Sequence, residues 1–195
     1  EGLTHLGLDS FAQCWSLQTV HLPGTLAVMD GNPFSFCSAL REVSLPDSHP
    51  YLEMRDGVLF SREDKCLIWY PAFKADERYQ VPDGVREIAH DAFASQSALR
   101  QLVLPDTVEK IGQGAFQGCE LLETVRLPEM LTEIPDYAFS GCLMLRELRL
   151  PEGVTRIGEE SFAGCESLEE ITLPAGITAI PRCAFYRFTH LTHVT

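Results

Sequence analysis

The chain has 195 residues, 45% of them apolar, and a formal net charge of −13. That composition supports a packed core in one domain or one short repeat array, and no run approaches the ~20 apolar residues of a membrane span. The 15 basic residues form no patch that could neutralise phosphates, which argues against nucleic-acid binding, and the acidic surface suits a cationic partner.

In chain order, "EGLTHLGLDSF" leads into Phe11, and Phe34 follows 23 residues later. After a gap of 59 residues come Phe93, Phe116, Phe139, Phe162 and Phe185, again at intervals of 23. Five of these seven phenylalanines open the pattern F-x-x-C-x-x-L-x-x-[VLI]-x-L-P, clearest in "FQGCELLETVRLP", "FSGCLMLRELRLP" and "FAGCESLEEITLP"; the copies at Phe93 and Phe185 depart from it at the Cys position, and the latter stops before the LP. A period in the twenties marks a solenoid, whose coils bury a face only by stacking. Within one coil, Leu148 and Leu150 alternate with Arg149, which predicts a strand with the leucines inward. Pro151 cannot donate a backbone N–H and falls where the strand stops. "PEGV" turns, and Val154-x-x-Ile157 forms a second short extended segment. Phe162, Cys165 and Leu168, three apart, predict a short helical turn facing inward.

The interval from Phe34 to Phe93 is one period plus 36 residues. "GVLF" and "CLIWYP" are strand-forming runs separated by the charged "SREDK", which predicts a β-hairpin within an irregular coil over residues 47–80. Residues 1–195 then read as one solenoid domain with a single insertion. Neither "EGLTHLGLDSF" nor the closing "LTHVT" forms a polar cap, so the expectation is a longer array, or else caps supplied by the atypical end coils.

Cys14, Cys37, Cys119, Cys142 and Cys165 occupy one slot, which Gln96 and Phe188 fill in the other copies. Helical turns about 10 Å wide would hold these thiols too far apart to bridge, and a row of single thiols cannot converge on zinc. The expectation is a ladder of buried, reduced thiols beside a ladder of buried phenylalanines at Phe11, Phe34, Phe93, Phe116, Phe139, Phe162 and Phe185. Cys183 lies outside the slot and is expected to be more exposed.

No nucleophile elbow, P-loop, zinc-protease or EF-hand string occurs. His190 and His193 lie three apart around a strand, which places them on opposite faces. No catalytic residue, cofactor or metal site is therefore expected. Partner-binding candidates come from two places. One is the pair of outward ladders on the strands, Thr124, Glu147 and Glu170 on one and Arg126 and Arg149 on the other, where Arg126 and Arg149 are expected to pair with Glu147 and Glu170. The other is the hairpin: Trp69 and Tyr70 sit on opposite faces of an apolar strand, which predicts that at least one ring is partly exposed.

The L-x-x-L-x-L core, the added LP, "V-x-x-I-G-x-x-A-F" and "F-x-G-C-x-x-L" together resemble the BspA-like class of bacterial leucine-rich repeats over nearly the whole chain. With Asn32 its only asparagine, the chain lacks the asparagine ladder of commoner leucine-rich repeats, and its carbonyls need other partners. The resemblance implies an α/β-type repeat solenoid. Its coil would be right-handed, with a parallel sheet on one side, short helical turns on the other and one β-hairpin insertion. It also implies a monomeric protein-binding or adhesion module, extracellular or at the bacterial cell surface, contacting host or neighbouring-cell proteins. The alternative is an architectural spacer or a targeting domain attached to another, catalytic domain.

Overall fold

In "TVRLP", Val125 and Leu127 are buried, Thr124 is half-buried and Arg126 is exposed, the alternation of a strand lying on a core. The computed structural model describes residues 2–195 and repeats this unit from coil to coil. Strands Arg78–Gln80, Gln101–Val103, Thr124–Arg126 and Glu147–Leu148 form one parallel sheet. Thr19–His21 pairs with Glu42–Ser44, and Glu170–Ile171 with His193–Val194, at the same position in their coils. The register puts Thr124 between Gln101 and Glu147. Leu104 still donates to the Arg126 carbonyl at 3.0 Å, and Pro105 then ends the ladder for want of an N–H. The Pro105 carbonyl instead closes a turn by accepting from Val108 at 3.1 Å.

The second extended segment forms its own parallel pairings: His5–Leu6 with Val28–Met29, Glu87–Ile88 with Lys110–Ile111, and Glu133–Ile134 with Arg156–Ile157. The third side corrects the expected helical turns. No helix forms among the described residues. Two residues before Phe116 stands Gly114 (φ 63°) and two after it Gly118 (φ 69°), and Tyr137 (φ 57°) and Gly141 (φ 75°) flank Phe139 in the same way. Left-handed residues at both flanks interrupt any right-handed helix. Their N–H groups point along the stack instead. Gly114, Phe116 and Gly118 donate to the carbonyls of Asp136, Ala138 and Ser140 in the next coil at 3.0, 3.0 and 2.7 Å. The third side is thus a run of turns bonded coil to coil.

Phe34, Phe93, Phe116, Phe139 and Phe162 are buried in the centre of this stack. Successive rings from Phe93 to Phe185 lie 5.1 to 5.8 Å apart, within the range for favourable ring packing. Phe185 is partly buried. Phe11 departs from the expectation: it stacks on Phe34 at 6.0 Å, and its other face leaves it 39% exposed. The cysteine ladder behaves similarly. Cys37, Cys119, Cys142 and Cys165 are buried free thiols, but Cys14 is exposed, in the same outer coil as Phe11. The thiols of Cys37, Cys119, Cys142 and Cys165 each donate to the carbonyl of the phenylalanine 26 residues earlier, at 3.0 to 3.3 Å. In a chain without an asparagine ladder, these thiols take up interior carbonyls. No wide helices separate the cysteines; each of these four thiols is held by the carbonyl it faces.

The insertion is a meander rather than a lone hairpin. Leu52–Arg55 and Val58–Ser61 pair antiparallel across Asp56 and Gly57, both at positive φ, which suits the tight two-residue turn. Val58–Ser61 then pairs antiparallel with Cys66–Trp69, with a bulge at Leu59 and Phe60. Cys66–Trp69 continues in parallel against Glu87–Ile88, which splices the meander into the second sheet. The expected exposure of Trp69 or Tyr70 is overturned: they are 4% and 1% exposed. Tyr70 stacks on Phe93 at 4.8 Å and packs on Tyr79 at 4.7 Å, while Trp69 meets Phe34 edge-on at 6.2 Å. These rings carry the phenylalanine column across the break in the period.

Candidate functional site

The strand face brings some of the sequence candidates together. Glu147, Arg149 and Glu170 are exposed on adjacent coils and border two shallow depressions beside Leu148 and Ser167. Thr124 lies next to Glu147 in register, but it is half-buried. Arg126 does not pair with Glu147. Its guanidinium reaches back to Asp106 (2.9 and 3.0 Å) and to the Leu104 carbonyl (2.9 Å), bracing the turn that follows the neighbouring strand Gln101–Val103. Glu170 faces His193 at 3.9 Å. At strand entry, Arg100 and Glu123 pair at 2.6 Å across coils.

The larger concavity lies elsewhere. A cavity of about 750 Å³ opens where the coil of Phe34 meets the meander and the coil of Phe93. Volumes in this range are typical of ligand pockets. Its walls carry Trp15, Phe36 and Phe73, and Phe34 and Trp69 line it from the core side. Trp15 is 67% exposed and Phe73 40%. The Arg41 guanidinium lies 5.1 Å from the centre of the Phe73 ring, a cation–π contact that holds a positive charge at the wall. Trp69 therefore belongs to a candidate site as part of its floor and not as a projecting anchor. Tyr70 is turned away: its hydroxyl donates to Asp76 at 3.1 Å, and burial pushes its ionisation well above the ordinary tyrosine range.

Sequence reasoning missed Trp15, Phe36, Arg41 and Phe73 as a group. Phe73 was visible as surplus aromatic content, but only the splice of coils 59 residues apart places it opposite Phe36. The device that makes the splice is Asn32. Its N–H donates to the His90 carbonyl (3.1 Å) and its side-chain amide to the Asp91 carbonyl (2.9 Å), while its Oδ1 accepts from Phe34 (2.8 Å). The lone asparagine thus bonds two coils across the insertion and lines the cavity.

Stacked coils, parallel sheets and a turn-bonded third side define a β-solenoid of the leucine-rich-repeat kind. A family model described as "BspA type Leucine rich repeat region" matches residues 1–56 and 78–195 in 6 copies, and the chain belongs to that family. The unmatched span covers most of the meander. Among solved structures, it is similar to a leucine rich cell surface protein from Faecalibacterium prausnitzii A2-165, with TM-score 0.86 and 35% identity over 92% of this chain and 48% of that one. It is likewise similar to the pneumococcal vaccine antigen PcpA, with TM-score 0.86 and 31% identity over 98% of this chain and 48% of that one. A leucine-rich repeat protein from Eubacterium ventriosum ATCC 27560 shares the fold, with TM-score 0.63 at 16% identity over 91% of this chain and 60% of that one. The chain spans about half the length of the first two. No curated protein matches it. No helix is long and apolar enough to cross a membrane among the described residues.

Proposed function

We propose that this chain is a non-enzymatic protein-binding module of a bacterial cell-surface protein, serving adhesion. The observation that carries this reading is the cavity at the coil junction, where exposed Trp15 and Phe73 stand beside Arg41. Tryptophan and arginine dominate the energetic centres of protein interfaces, and here Trp15 is exposed while Arg41 is held over the Phe73 ring. The similarity to a cell-surface protein and to a vaccine antigen supports surface display. The face bearing Thr124, Glu147, Arg149 and Glu170 would supply a polar flank, with Arg126 holding its shape.

The competing reading is a spacer. Ion pairs between neighbouring coils favour it, such as Lys110–Glu87 at 2.7 Å and Arg156–Glu133 at 3.2 Å, because they brace the stack. Beads coated with the protein can be tested on immobilised extracellular-matrix proteins and on cell layers, against Trp15→Ala and Arg41→Glu variants. Adhesion is expected for the wild type and loss for both variants. Equal retention of all three beads at the level of bare beads would support the spacer.

A further inference from the structure

Three chemistry-bearing side chains converge beside the splice, outside the cavity. Asp9 belongs to the first coil and His90 and Asp91 to the coil after the meander, yet their ligating atoms all lie within 4.8 Å of one another. His90 Nε2 stands 3.3 Å from Asp91 Oδ2 and 3.9 Å from Asp9 Oδ2. The Asp91 side chain is only 7% exposed. Its Oδ2 is aimed at the imidazole, and its Oδ1 accepts no hydrogen bond among the described residues. A carboxylate so buried is costly unless a cation meets it, and among the described residues only His90, at Oδ2, is placed to do so. The fold also makes room for it. A Cβ at position 114 of the next coil would lie 2.1 Å from Asp91 Oδ1, and that position is glycine where other coils carry Tyr137, Glu160 and Cys183.

We infer that Asp9, His90 and Asp91 form a binding site for a divalent transition metal of the zinc type. One imidazole with two carboxylates is a donor set that zinc accepts, while calcium and magnesium favour all-oxygen shells. Ligands about 2.0–2.2 Å from one ion sit roughly 3.3 Å apart in tetrahedral geometry. The His90–Asp91 spacing already has that value, while the 44%-exposed Asp9 side chain stands 3.9 Å from the imidazole and would have to move closer. Three protein ligands leave a fourth position open to water. The ion would staple the first coil to the coil after the meander. It would act next to Asn32, which bonds the backbone carbonyls of both His90 and Asp91 and lines the cavity wall.

The test uses the 195-residue chain, stripped with EDTA and carrying Cys14→Ser and Cys183→Ser so that the exposed thiols do not bind the probe. Zn2+ is titrated calorimetrically and thermal midpoints are recorded with and without it; Ca2+ and Mg2+ serve as controls. One equivalent of Zn2+ is expected to bind at micromolar or tighter affinity and to raise the midpoint. Asp9→Asn, at an exposed position, is expected to weaken binding at least tenfold without changing the metal-free midpoint. Asp91→Asn is expected to abolish binding and the midpoint shift, with a metal-free midpoint no lower than the parent's, because it removes a buried charge. Zn2+ binding that Asp9→Asn leaves unchanged, no binding below millimolar Zn2+, or an equal response to Ca2+ would overturn the inference.

Discussion

At the scale of single residues, the cysteine slot shows how one side chain serves both packing and polarity. Burial pushes the thiols of Cys119 and Cys165 from an ordinary value of 9.0 up to about 12, and that of Cys142 well above 9.0. A thiol in this state neither reacts readily nor binds metal, because the thiolate is the reactive form. Native protein at pH 8 is therefore expected to offer two fast thiols, Cys14 and Cys183, to an aromatic disulfide reagent, and the remaining five only after denaturation. Rapid titration of all seven would show that the ladder is open to solvent. The pH dependence follows with a definite sign. The folded state holds these protons above the pH at which the unfolded chain releases them. Their contribution to stability is complete below pH 9 and falls as pH rises toward 12. Replacing Cys142 by Ala should flatten that alkaline decline. The slot's burial was legible in the sequence for Cys37, Cys119, Cys142 and Cys165, and its loss at Cys14 in the outer coil was not. The acceptor was not, since no spacing shows that each thiol meets a carbonyl 26 residues back.

At the scale of elements, strands and turns fared differently. Period-2 alternation fixes which side chains face inward, so the strand register was readable, with Thr124 opposite Glu147. Three-residue spacing at Phe162, Cys165 and Leu168 suits helix and turn alike, and the glycines of "FQGC", "FSGC" and "FAGC" were the signal that decides between them. In the insertion, "RDGV" marks a tight hairpin turn and reveals the strand Leu52–Arg55, which alternation alone did not. The two tryptophans offer a clean contrast at this scale. Trp69 is part of the buried column and Trp15 is an exposed wall residue. Trp69→Ala is expected to cost about 3–5 kcal/mol, as for other large buried rings. Trp15→Ala should change stability by no more than about 0.5 kcal/mol, as at other surface sites. In Trp15→Phe protein, the remaining Trp69 fluorescence should resist acrylamide. Quenching as efficient as that of free tryptophan would mean that the meander opens in solution.

At the scale of the whole molecule, a solenoid has no single centre of stability. Each coil contacts its neighbours, and the stack is only as strong as its weakest junction. One such junction is where residues 2–45 meet the coils beyond the meander: the wide parallel sheet is interrupted between Glu42–Ser44 and Arg78–Gln80, as it is between Glu147–Leu148 and Glu170–Ile171, and only the first interruption also carries the insertion. Asn32 and the rings of Phe34, Trp69, Tyr70 and Phe93 span the gap. Nothing in the 23-residue period shows this, since the partners of Asn32 are 58 and 59 residues away and become neighbours only when the insertion is extruded. Asn32→Ala leaves the Asp91 carbonyl and the Phe34 N–H without their side-chain partners. Each buried group orphaned in this way costs about 1–3 kcal/mol. The loss should be local. Amides in residues 2–45 are expected to exchange with solvent sooner in the variant, while those of the coils from Leu99 onward keep wild-type protection. Equal loss of protection along the whole chain would show that the coils unfold as one unit and that the junction is no weaker than any other.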